Sequence, residues 1–122
     1  GIRLLANRLE RWPEKLGTEQ ARKWVSSVVR MQEEIGTGGA GFRFMYAAFL
    51  QEAADLLKTP ALGEAARDLT ATGDRWRDFA VQGAQLVKNK LGDSEAYARL
   101  AGILRECAER EQEIFTRLKS VV

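Results

Sequence analysis

From Leu62 onward, Ala66, Leu69, Gly73, Trp76, Ala80, Gly83 and Val87 follow one another at intervals of four and three without a miss. A seam of that period closes only against another helix, so the chain is constrained to antiparallel helix packing. Gly73, Ala80 and Gly83 lie on the seam and let a neighbouring helix approach closely. Thr59 followed by Pro60 marks the start: the threonine oxygen can accept an orphan amide, and proline fits the first turn without losing a bond. Gly92-Asp93-Ser94 ends this helix and caps the next, in which Tyr97, Ala101, Leu104, Ala108, Glu111, Phe115 and Leu118 repeat the spacing with one acid in the seam.

The remainder reads the same way. Ile2, Leu5, Leu9 and Trp12 form a first helical stripe that Pro13 is expected to break. Thr18 caps a second helix carrying Trp24, Val25, Val28, Met31, Gln32 and Ile35, which stops at Gly36. In a third helix, Phe42, Met45, Tyr46, Phe49, Ala53, Leu56 and Leu57 share one face, while Phe44, Ala47, Ala48 and Ala54 leave the rest nearly as apolar. A helix apolar on most sides belongs in the middle of a bundle. Two prolines in 122 residues leave few interruptions. The expectation is an all-α antiparallel bundle of about five helices forming a single domain over residues 1–122. Because it opens on Gly1 rather than Met, we read it as the C-terminal part of a longer protein.

Composition excludes several chemistries. With no His, the chain cannot build Ser-His-Asp or Cys-His catalysis, nor the Glu-x-x-His ligands of a di-iron bundle. One Cys cannot form an internal disulfide, a CxxC pair or a thiolate zinc cluster. No metal and no cofactor is expected. Lys and Arg exceed Asp and Glu by only two and are interspersed with them, so nucleic acid is not an implied partner. No apolar run is long enough to span a bilayer and no signal peptide opens the chain, which leaves the cytoplasm as the default compartment.

The least ordinary segment is Gly36-Thr37-Gly38-Gly39-Ala40-Gly41, followed by Phe42-Arg43-Phe44-Met45-Tyr46. Unpaired amides at a helix start, with Thr37 nearby and Arg43 in the first turn, can bind a phosphate or carboxylate. The plainer reading is a tight reversal between two packed helices, since neither phosphate-loop nor dinucleotide glycine spacing is present.

This run, GTGGAGFRFMYAAFLQEAADLL, together with the opening GIRLLANRLERWPE, resembles the helical domain of unknown function DUF4872 found C-terminal to the butirosin biosynthesis protein H N-terminal domain. The resemblance implies a two-domain parent whose N-terminal part, similar to cysteine-peptidase-like enzymes, transfers an acyl group from a carrier protein to an amine. This chain is then its accessory domain, packed on that catalytic domain. It implies as partners the N-terminal acyltransferase-like domain, with an acyl carrier protein or a small-molecule substrate within reach. No catalytic residue carries over. The candidate anion or substrate contact is Thr37, Gly38, Gly39 and Gly41 with Arg43 supplying charge and Tyr46 packing or donating below. A stand-alone interaction or homo-oligomerisation module, supported by a large exposed apolar patch, and a small-molecule effector domain, supported by a closed apolar cavity, stay open.

Three further expectations concern single residues. Cys107, between Leu104 and Glu111 on the apolar side, is a small buried residue with no His to activate it. Glu111, a carboxylate in an apolar seam, requires an ion pair or a solvent-facing position. Glu52 is placed for a pair to another helix rather than to Arg43. Trp12, Trp24 and Trp76 are assigned to packing.

Overall fold

The computed structural model describes residues 1–33, 39–90 and 93–121. Its elements are α1 (Ile2–Leu16), α2 (Thr18–Glu33), α3 (Gly39–Leu57), α4 (Pro60–Lys88) and α5 (Ser94–Val121), with no strand among the described residues. The chain is an all-α bundle, as its periodicity requires.

Helices α4 and α5 form the antiparallel spine. Pairs run from Arg75 to Glu106 near its middle and from Asp68 to Arg117 toward one end. The α4 seam is buried from Leu62 through Gly83, and the α5 seam from Tyr97 through Ala108. Two apolar cores flank the spine. Leu9 and Trp12 of α1, Val25 of α2, Phe79 and Leu86 of α4, and Tyr97 to Cys107 of α5 fill the larger one. Ala47, Leu50 and Ala54 of α3 meet Leu62, Leu69 and Ile114 in the smaller one at the opposite end. Helices α1 and α2 therefore cover the half where α4 ends and α5 begins, and α3 covers the other.

Close approach depends on two seam glycines. A Cβ on Gly73 would stand 2.7 Å from the Phe44 ring of α3, and one on Gly83 would stand 2.8 Å from Val29 of α2. Both distances are shorter than real Cβ contacts allow, so only glycine permits this packing.

Helix ends follow local chemistry with three departures, one of them that Thr18 is the first residue of α2 and not its cap, because the Gly17 carbonyl accepts from the Ala21 amide at 3.0 Å. Helix α1 runs through Pro13 and turns instead at Gly17, whose φ of 78° is accessible to glycine at little cost. Only one turn remains beyond Pro13, so the amide it lacks costs one bond rather than a helix. Thr59 precedes α4 in extended conformation, with Pro60 at the first helical position. Its hydroxyl makes no cap bond and donates instead to the Leu57 carbonyl at 3.2 Å. Lys58 makes the turn between α3 and α4 with φ 51°, in the left-handed region that favours glycine. The end of α2 expected at Gly36 lies outside the described residues.

Candidate functional site

Helix α3 runs antiparallel alongside the first half of α4, on the outside of the spine rather than at the centre of the bundle. Its inward side is made of Ala40, Ala47, Leu50 and Ala54, all buried. Small residues there bring the backbone of α3 close to α4, and a Cβ on Gly63 would sit in ordinary contact, 3.8 Å, from Ala54. The large side chains face the other way. Phe42 is 52% exposed, Met45 73%, Phe49 63%, Leu56 76% and Leu57 67%.

The expected face was thus correct as a stripe and wrong as a core. Phe42, Met45, Phe49 and Leu56 recur at helical spacing about half a turn away from Leu50 and Ala54. At side-chain areas of about 150–250 Å² apiece they uncover on the order of 600 Å², the upper end of the largest apolar patch on an ordinary monomer. Phe115 of α5, itself 39% exposed, extends the patch through its edge-on contact with Tyr46 at 5.9 Å. Tyr46 also meets Phe42 and Phe49, both at 6.1 Å, so the aromatic side chains form one connected surface. Glu52 is exposed at the border of this stripe.

An internal anchor holds α3 in this orientation. The Arg43 guanidinium pairs with the Glu111 carboxylate at 2.8 Å and lies over the Trp76 ring, 4.4 Å from its centroid. The Trp76 indole N–H donates to the other Glu111 oxygen at 3.3 Å. The two charged side chains are only 17% and 13% exposed, so they are screened little by water. Glu111, the acid that interrupts the α5 seam, is thereby matched by a cation from α3 and a donor from α4.

The six candidate contact residues do not converge. Thr37 and Gly38 lie outside the described residues. Gly39 and Gly41 open α3, with open space where a Gly41 Cβ would point. Arg43 turns inward to Glu111 and Trp76, because those two groups meet one turn inside the helix start. Tyr46 packs on Phe115 rather than beneath the glycines. An anion at this helix start would therefore rest on backbone amides, with the Arg43 charge already engaged.

Cys107 is fully buried, and burial, reinforced by Glu111 and Glu106, pushes its thiol up to about 12. It is held as the neutral thiol, which is a poor nucleophile. Among the described residues no group of three His, Cys, Asp or Glu side chains is placed to hold a metal ion, and no helix is long and apolar enough to cross a membrane.

The family model for the domain of unknown function DUF4872 matches residues 1–118. The chain belongs to the DUF4872 family. No curated protein and no solved structure matches it. In this DUF4872 domain the feature set apart by geometry is the outer face of α3, which sequence reasoning missed. The signal lay in side-chain size: on a helix apolar all round, the stripe of alanines marks the side pressed against a neighbour. The aromatic and Met stripe is left uncovered by the described residues.

Proposed function

We propose that this DUF4872 domain is the helical accessory domain of a butirosin biosynthesis protein H-like acyltransferase. In this reading it packs on an N-terminal catalytic domain of the same polypeptide and supplies surface rather than reacting groups. The uncovered aromatic and Met face of α3, in which Tyr46 meets Phe42, Phe49 and Phe115, supports a contact outside this domain, and the resemblance of the GTGGAGFRFMYAAFLQEAADLL run makes that contact a catalytic domain rather than a second copy. Its rough area approaches the 800 Å² or so that one partner contributes to a standard interface. The neutral, buried thiol of Cys107 and the absence of His leave acyl transfer to the other domain.

The test uses the polypeptide that contains both domains. Phe49→Arg places a charge on the proposed interface without touching the core of this domain. Acyl transfer is expected to fall at least tenfold, and hydrogen exchange along the outer face of α3 to rise, while the melting temperature of the isolated domain stays unchanged. Unchanged turnover together with unchanged exchange refutes the reading. Concentration-dependent dimerisation of the isolated domain, abolished by Phe49→Arg, would instead assign the face to a homo-oligomerisation module.

A further inference from the structure

A second feature lies on the opposite half of the molecule and is independent of the α3 reading. Ile2, Leu5, Ala6 and Leu9 turn one side of α1 into the larger core, which places Leu4, Arg8, Arg11 and Lys15 on its outer side at intervals of four, three and four. Beside them runs a groove of about 750 Å³, lined also by Trp12 and Trp24. That volume falls within the range of about 300–1,000 Å³ usual for small-molecule sites.

The contents of this groove are unbalanced in two ways. Arg8, Arg11 and Lys15 make no ion pair or hydrogen bond among the described residues, whereas Arg105, the other cation at the groove, is held by Glu10 at 2.6 Å and by Asn7 at 2.9 Å. The acid in the groove is thus already committed, and three positive charges face it uncompensated. Trp24 is the second imbalance. The sequence assigned it to packing, yet it is 44% exposed, fixed edge-on to the buried Trp12 with centroids 5.3 Å apart. An ordered indole beside unpaired cations is matched by one kind of molecule, an apolar body carrying an anionic group. An inorganic anion would leave Trp24 and Leu4 wet, and a neutral amphiphile would leave the cations unmatched.

We propose that the α1–Trp24 groove binds a small amphipathic organic anion, its phosphate, sulfonate or carboxylate held by Arg8, Arg11 and Lys15 and its apolar body laid on Trp24 and Leu4. The ligand is a free molecule rather than a membrane surface.

The test is calorimetric titration of the chain with octyl phosphate below its micelle concentration. Saturable binding in the range of about 10–500 μM is expected. Inorganic phosphate and octyl glucoside should each bind at least tenfold more weakly, because each satisfies only half of the site. Arg8→Gln/Arg11→Gln should weaken octyl phosphate at least tenfold with the melting temperature unchanged, since both residues are exposed. Arg67→Gln/Arg99→Gln, which removes the same charge elsewhere, should bind as the unaltered chain does. Binding should also quench indole fluorescence, and less so in Trp24→Phe. Equal affinity for octyl glucoside, equal loss in both double variants, or no saturable binding overturns the proposal. So does tighter binding to phosphatidylglycerol vesicles than to the monomeric probe.

Discussion

Replacing glycine by alanine in two helices of this bundle should move stability in opposite directions, which tests the packing of α2 on α4 directly. Within a helix the change gains about 0.8–1.0 kcal/mol wherever the new methyl group finds room. Gly102 on α5 has nothing within 4 Å of the position a Cβ would take, so Gly102→Ala should keep that gain in full. Gly83 on α4 meets Val29 Cγ2 at 2.8 Å and Val25 Cγ1 at 3.4 Å. Both neighbours are β-branched and have essentially one rotamer in a helix, so neither can swing aside. Relief must come from moving α2 as a whole, an overpacking cost of about 1–3 kcal/mol that outweighs the helix gain. The two variants should thus differ by about 2 kcal/mol. At roughly 4 °C per kcal/mol for a domain of this size, their melting temperatures should stand about 8 °C apart, one on each side of the unaltered chain. Thermal unfolding followed by circular dichroism reads this directly. Gly83→Ala melting at or above the unaltered chain would refute the reasoning, because it would mean that Val29 does not press against that glycine.

Leu50→Ala should cost about 2–4 kcal/mol in chemical denaturation, whereas its neighbour Phe49→Ala should stay within about 0.5 kcal/mol, since only Leu50 is buried; equal losses would show that α3 is turned the wrong way. Arg43→Met should cost about 2–3 kcal/mol by leaving Glu111 half-buried without its cation. Adding Glu111→Leu should recover most of that loss, and a strictly additive double-variant cycle would show that the pair is not coupled. Cys107 should resist thiol reagents in the folded state. Because burial raises its folded pKa from 9.0 to about 12, the unfolded chain loses that proton first. Stability from this group is therefore complete below pH 9 and declines toward pH 12, by at most about 1.4 kcal/mol per pH unit. Burial raises Tyr97 in the same direction, so the comparison is between the unaltered chain and Cys107→Ala, whose alkaline loss should be shallower. Identical alkaline slopes would refute the assignment.

Much of the bundle was legible because each helix that packs on two others carries a seam at intervals of four and three, and such a seam has one geometric outcome. The α4 series held from Leu62 to Gly83, including the glycines that admit Phe44 and Val29. Cys107 followed from its place among Leu104 and Ala108, and Glu111 from the need of a buried carboxylate for a counter-charge. What did not follow was which cation would meet Glu111. Arg43 is far away in sequence, and only the fold brings α3 and α5 within reach at that end. The same distance hid the direction of Arg43, since a reading confined to one helix start cannot see that this arginine is drawn inward. Trp24 escaped for a related reason. A Trp on an amphipathic stripe is normally core, yet here only Trp12 meets the Trp24 ring and the indole stays 44% exposed.

Helix α3 separates stability from recognition more sharply than any other element. Apolarity on all sides was read as centrality, on the premise that every apolar face must be buried within the same domain. The premise fails because α4 already packs on α5, and α3 lies chiefly against α4, along one side. Close contact there demands small side chains, so Ala47 and Ala54 face α4 while Phe42, Met45 and Phe49 cannot be accommodated on that side. Beyond their ring contacts with Tyr46, Phe42 and Phe49 add little to the core of this domain. Exchanging Phe42, Met45 or Phe49 for a polar residue should therefore cost the fold little, which separates this face from the buried one. Leu50 and Phe49, adjacent in the chain, therefore answer different questions: the first whether the bundle folds, the second whether the proposed contact with another domain forms.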